Sequence, residues 1–272
     1  MKVKLRSALL TATVVMAVVL PVAPARADIT DIPQPVRPIP GETIPNPPPM
    51  DLAPGSSGSQ VTLLQERLTE AGLFRGSIDG VFGRATLGAV HAFQKLYGME
   101  RSGTFRAGDW LLLNRKIRGP GTAPEADRVE VDLSRQILYL IEAGEVTAVF
   151  PVSSANGESY RNATGRTVRA STPEGRFTFQ RSRGGWWESY LGFLYRPFYF
   201  YGGYAIHGSS SVPAFPASHG CVRVHIEDMD FLATRLTLGM PIYLYGDDIK
   251  RDALIAPAPP KPPVEVPRVA AV

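Results

Sequence analysis

The sequence has little cysteine and little histidine, one and four among 272 residues. A lone thiol cannot close a disulfide within its own chain, so no bridge framework staples this fold. No cysteine follows the apolar N-terminal stretch closely, which leaves no thiol there for a lipid anchor. That stretch, residues 8–22, is also shorter than the roughly 20 apolar residues a spanning helix needs. A lasting excess of one charge is missing too. Four of the 29 basic residues and none of the 25 acids lie in residues 1–27, so the rest of the chain carries 25 of each and is formally neutral. A basic isoelectric point that rests on a leader gives no argument for nucleic acid as a partner.

What is present begins with Lys2, Lys4 and Arg6 ahead of the apolar run and Ala25-Arg26-Ala27 behind it. That order reads as a secretory signal peptide, residues 1–27, cut after Ala27. It implies a secreted or cell-envelope protein with no stable membrane insertion after cleavage. About 245 residues then remain, enough for one large or two small cores. Residues 28–51 carry eight prolines and residues 248–272 six. Proline fixes φ and removes an amide donor, so the first is expected as an extended spacer and the second as a disordered tail.

Between these lie two segments of different period. Val61, Leu64, Leu68 and Leu73, and then Leu87, Val90, Phe93, Leu96 and Tyr97, recur at helical spacing. Residues 78–83 form a loop that needs glycine backbone freedom, and 110–113 closes a small all-α domain over 52–114. After a linker at 115–127 the period becomes two: Val129, Val131 and Leu133 alternate with polar residues, and 137–141 and 146–152 flank Ala143-Gly144 as a hairpin. Further strands are expected at 175–180, 197–201, 204–207 and 240–245, with one helix over 226–238 stopped by Gly239. The fold class is α+β multidomain: the helical domain, then a mainly β, sandwich- or barrel-like domain over 128–247. Ten aromatic residues crowd 186–204. On alternating strands they cannot all be core, so some are expected to wall a groove.

In an exported chain, one unpaired thiol flanked by imidazoles is either a hazard or a nucleophile. Cys221 sits in Ser218-His219-Gly220-Cys221-Val222-Arg223, with His207-Gly208 upstream. A thiol near its ordinary pKa of about 8.5 is mostly protonated at neutral pH and needs a base or a positive neighbour. On spacing alone either His207 or His219 can serve. An extended strand would point His219 and Cys221 to one face, whereas a tight turn at Gly220 would expose backbone amides instead. His219, Cys221 and His225, with His207 as a fourth, also have zinc-ligand residue types, but Gly220 argues against a straight strand, so no metal and no cofactor is expected. A papain-like hydrolase is disfavoured because its nucleophile opens a helix.

Two resemblances extend this reading. Gly55, Gly58, Leu64-Gln65, Asp79-Gly80, Phe82-Gly83 and Ala92-Phe93-Gln94 resemble the three-helix peptidoglycan-binding domain, which implies a noncatalytic module that holds wall polymer. The Ile206-His207-Gly208 and Ser218–Arg223 motifs, supported by Asp132–Gln136 and Thr172–Phe177, resemble the L,D-transpeptidase (YkuD-type) family. That resemblance implies Cys221 as nucleophile, His207 as its base oriented by a main-chain carbonyl near Gly208, and His219 and Ser218 as organisers. It further implies the amides of Gly220 and Cys221 facing the oxyanion and Arg223 shaping the pocket or gripping an acidic stem peptide. The implied reaction is acyl transfer from a tetrapeptide stem with release of D-alanine, giving 3→3 crosslinks in wall assembly and cell shape. Water as acceptor would give an L,D-carboxypeptidase, and another amine would give protein anchoring. A noncatalytic wall-binding protein is the alternative from a different class.

Overall fold

The computed structural model describes residues 50–113, 115, 117, 119 and 123–246. The expected signal peptide, nearly all of the proline-rich spacer and the expected tail lie outside the described residues.

The N-terminal region is helical: α1 (Ser59–Glu70), α2 (Arg84–Leu96) and a short α3 (Trp110–Leu113). Val61, Leu64 and Leu68 bury one stripe of α1 in an apolar cluster that also holds Ala89, Val90 and Phe93 of α2, as the helical spacing predicts. Phe105 lies between Phe93 and Trp110, with ring centroids 5.3 and 5.1 Å away. The loop at 78–83 is fixed by Gln65, which donates to Asp79 Oδ1 (2.8 Å) and accepts from Gly80 N–H (2.9 Å). Gly80 has φ +69°, and a Cβ there would lie 2.8 Å from Thr62 Oγ1. Both conformation and space therefore call for glycine.

The remainder is mainly β. Strands β1 (Arg128–Asp132), β2 (Ile137–Glu142), β3 (Glu145–Pro151), β6 (Gly175–Thr178) and β12 (Pro241–Tyr245) form a five-stranded sheet in the order β3-β2-β1-β12-β6. A second sheet runs β11-β10-β9-β7, built from β7 (Arg181–Ser182), β9 (Gly192–Tyr201), β10 (Tyr204–Ser209) and β11 (Val222–His225). The hairpin strand β8 (Trp186–Ser189) pairs with β9, while β4 (Ser159–Arg161) and β5 (Thr167–Arg169) form a separate hairpin. The sheets enclose a core that includes Leu138, Leu140, Phe150, Phe200 and Ile206, closed by Met229 and Leu232 of α4 (Ile226–Leu232).

The β2–β3 turn is as the sequence predicts: Ala143 (φ 52°) and Gly144 (φ 80°) both take positive φ, the two-residue connection that matches strand twist. The run 137–141 is buried on both faces. Leu138 and Leu140 point into the β core, whereas Ile137, Tyr139, Ile141 and Val149 pack with the helices in a second apolar cluster. A continuous apolar strand is what such two-sided burial requires. The edge strand β3 is covered as well, since Gly72 O accepts the Val149 N–H (3.0 Å).

The helix expected over 226–238 ends at Leu232 instead. Thr234 Oγ1 captures Phe231 O (2.7 Å), and the next amides bond three residues back, Thr234 N to Phe231 O and Arg235 N to Leu232 O. A threonine hydroxyl competing for backbone carbonyls is enough to stop a helix there.

Candidate active site

Two parallel strands build the site. Pairing of β10 with β11 sets Ile206 opposite Val222 and His207 opposite Arg223, and Cys221 immediately precedes β11. Both side chains line a cleft of about 640 Å³. Ser218, His219, Gly220 and Arg223 line the same cleft, whereas His225 does not. His225 caps α4 and lies against α2, its Nε2 3.1 Å from where a Gly88 Cβ would stand. Among the described residues no three His, Cys, Asp or Glu side chains are placed to share a metal ion.

Residues 218–221 form a turn ahead of β11 and not a straight strand. Ser218, 2% exposed, organises it: its Oγ donates to Cys221 O (2.6 Å) and accepts the Gly220 N–H (3.0 Å). The Gly220 amide, placed by the sequence reading at the oxyanion, is thus engaged inside the turn. On the other side Thr172 Oγ1 donates to Gly220 O (2.9 Å), which gives the Thr172-Pro173-Glu174-Gly175 motif a physical role. Gly220 has φ +155°, and a Cβ would meet the Tyr204 ring at 2.5 Å and Ser171 O at 3.0 Å.

His207 is buried, and its Nδ1 lies 2.9 Å from Gly208 O. A carbonyl oxygen can only accept, so the proton sits on Nδ1 and Nε2 is left as the basic nitrogen. Gly208 itself has no room for a side chain: a Cβ there would stand 2.9 Å from Tyr195 and 3.0 Å from Met229. Burial lowers the imidazole pKa to about 4; the Gly208 contact opposes this shift and the Arg223 charge adds to it. Burial raises the Cys221 thiol, against an opposing backbone hydrogen bond from Ala205 and the charge of Arg223. The resting pair is therefore a neutral thiol and a neutral imidazole. The thiol points toward Gly203 O at 3.8 Å.

His219 stands at the cleft wall with its ring 4.5 Å from that of Tyr160. Partial burial, then the Arg223 charge, lowers its pKa, with Glu158 opposing. Tyr160 belongs to the β4–β5 hairpin, which the period-two reading passed over because its strands are three residues long and largely exposed. The aromatic run divides as alternation requires. Phe198 and Phe200 are core, Tyr190, Phe193, Tyr199 and Tyr204 line the cleft, and Trp186 and Trp187 are exposed on β8. Among the described residues the cleft wall holds two arginines, Arg181 and Arg223, and no carboxylate. Such a wall suits a peptide that carries carboxylates.

Residues 126–244 match the L,D-transpeptidase catalytic domain, and residues 57–105 match a peptidoglycan binding domain. A crystal structure of an L,D-transpeptidase from Xylanimonas cellulosilytica shares 43% identity with this chain. It covers 73% of this chain and 99% of its own, with a TM-score of 0.69. An L,D-transpeptidase from Stackebrandtia nassauensis shares 23% identity, covering 74% and 97%, with a TM-score of 0.43, too low to add a structural argument. No curated protein sequence matches.

Proposed function

This chain belongs to the L,D-transpeptidase family of enzymes acting on peptidoglycan, and we propose that Cys221 and His207 carry out its acyl transfer. The observation that supports this most is one cleft holding both groups, with the imidazole turned by Gly208 O so that Nε2 is free to act as base. In the proposed reaction the Cys221 Sγ attacks the amide carbonyl between the third residue of a tetrapeptide stem and its D-alanine. His207 Nε2 takes the thiol proton and returns it to the departing D-alanine amine. An amine of a second stem then attacks the thioester, losing its proton to the same nitrogen, and a 3→3 crosslink forms as the sulfur leaves and takes that proton back from Nε2.

At rest burial keeps the imidazole unprotonated and the thiol protonated, so proton transfer waits for bound substrate to bring the two proton affinities together. With the Gly220 amide committed to Ser218, we assign the developing oxyanion to the Cys221 amide, a contribution of about 3 kcal/mol in comparable sites. Arg223 and Arg181 receive carboxylates of the stem.

Water in place of the second amine would make the same residues a carboxypeptidase, and an amine on a protein would make them an anchoring enzyme. Mass analysis of products from defined tetrapeptide muropeptides separates these: a crosslinked dimer with one D-alanine released supports the proposal, and tripeptide alone points to hydrolysis. Loss of every product in Cys221→Ala, with wall binding retained, separates an enzyme from a wall-binding protein. Action on peptidoglycan places the chain at the cell envelope. No helix among the described residues is long and apolar enough to cross a membrane, and we propose that the N-terminal segment serves as a cleaved export signal.

A further inference from the structure

The helical region does more than sit beside the catalytic sheets: two of its cations reach into the backbone that carries the site. Lys95, on α2 and 1% exposed, donates from Nζ to Val152 O (2.9 Å). Arg101, just past α2, donates from one guanidinium nitrogen to Ala214 O (2.7 Å) and from the other to Arg135 O (3.1 Å). Val152 begins the segment on which the site loop hangs. Ser153 exchanges two backbone bonds with Arg223, each 3.0 Å, and Ser154 O accepts the amides of Ala217 (3.0 Å) and Ser218 (2.8 Å). Ser153 Oγ binds Phe215 O (2.9 Å), and Asn156 N–H binds Ser218 O (2.9 Å). Ala214 lies in that same loop, between His207 and Ser218. One cation therefore fixes the platform and the other fixes the loop that rests on it.

A fully buried lysine is costly, and a methionine of similar length would fill its space without the desolvation cost. What the lysine adds is a directed bond to one carbonyl. Arg101 is likewise spent on carbonyls of the β domain and not on an acid. We infer that Lys95 and Arg101 of the peptidoglycan-binding region are positioning residues that hold the 214–221 loop, and with it Cys221, in register with His207. This rests on Cys221 and His207 being the reacting pair.

The test uses the full chain and the near-isosteric variants Lys95→Met and Arg101→Met, with Arg101→Lys, which keeps one donor. Two quantities are read: the rate of Cys221 alkylation by iodoacetamide at neutral pH, followed by intact mass, and kcat and KM for D-alanine release from a tetrapeptide stem. The expected result is a fall of about tenfold or more in alkylation rate and in kcat for both methionine variants, because an ångström of misplacement is enough for a loss of that size. KM should stay within about twofold, with circular dichroism and melting confirming a folded chain and Arg101→Lys falling between Arg101→Met and wild type. Alkylation and kcat within about twofold of wild type in both folded methionine variants would overturn the inference, as would an Arg101→Lys variant no better than Arg101→Met. If Lys95→Met does not fold, the Arg101 pair decides alone. Should the wild type release no D-alanine, it is the enzyme reading that fails, while the alkylation arm still decides whether these cations set the sulfur's environment.

Discussion

Gly220→Ala tests the geometry of the site turn most sharply. The substitution adds one methyl at a residue with φ +155°, where the new atom would lie 2.5 Å from Tyr204 Cε1 and 3.0 Å from Ser171 O. Backbone strain in a region that only glycine occupies freely costs about 1–3 kcal/mol. Overpacking against a ring and a carbonyl adds about 1–3 kcal/mol. The sum, about 2–6 kcal/mol, is a large part of the roughly 5–15 kcal/mol that stabilises an ordinary domain. Gly165→Ala is the matched control, because Gly165 has φ +77° in the β4–β5 hairpin and nothing within 4 Å of a new Cβ. Only the conformational cost applies there, about 1–2 kcal/mol. Urea unfolding of both variants, with the slope checked for constancy, gives the two values directly. Turnover should fall in Gly220→Ala even where the chain is folded, since relief of the clash swings Tyr204 within the cleft. A Gly220→Ala variant no less stable than Gly165→Ala would refute the claim that Tyr204 and Ser171 close around this turn.

Replacing His207 with glutamine should lower turnover by about 10²–10⁴; a loss below tenfold would move the base to His219. Stability should fall with acid. His91, His207 and His225 each have a folded pKa of about 4 against an ordinary 6.5, so the unfolded chain binds more protons below pH 6.5 and folding weakens as pH falls from about 6.5 to 4. Each displacement corresponds to about 3 kcal/mol at most. Asp228, raised to about 7 by burial, works in the opposite direction, as do Asp109 and Asp132, which burial also raises, but three histidines brought to about 4 outweigh them. Thermal melts that show no loss between pH 6.5 and 4 would contradict this. Arg128→Met should cost about 3–5 kcal/mol, because it leaves Glu130, which is 0% exposed and bonded to Arg128 at 2.6 Å, with the Tyr245 hydroxyl but no cation. The double variant Arg128→Met/Glu130→Met should recover most of that loss in denaturant unfolding.

The parts of the fold and site that were legible in the sequence are those whose physics is local. The Ala143-Gly144 hairpin, the stripes on α1 and α2, and the glycine-dependent loop at 78–83 each follow from neighbours a few residues apart. The site is similar: 218–223 folds on itself through Ser218, so nucleophile, turn and capping hydroxyl all lie within six residues. What was not legible depends on distant pairs. Lys95 reaches a carbonyl 57 residues away, and Arg101 one 113 residues away, yet on their own helix and loop they read as ordinary surface cations. The early end of α4 turns on Thr234, whose hydroxyl can serve a helix or break it. Tyr160 was missed for lack of hydrophobic period, since both strands of its hairpin face solvent. Its tilted ring contact with His219 and its place in the cleft wall mark it.

Intact mass spectrometry of the chain after brief exposure to a tetrapeptide stem alone, with no acceptor stem, addresses the chemistry most directly. A covalent adduct equal to the stem minus D-alanine, mapped to Cys221 and strongly diminished in His207→Gln, is the outcome predicted here. D-alanine release that persists in Cys221→Ala, with no adduct on the wild-type sulfur, would contradict it.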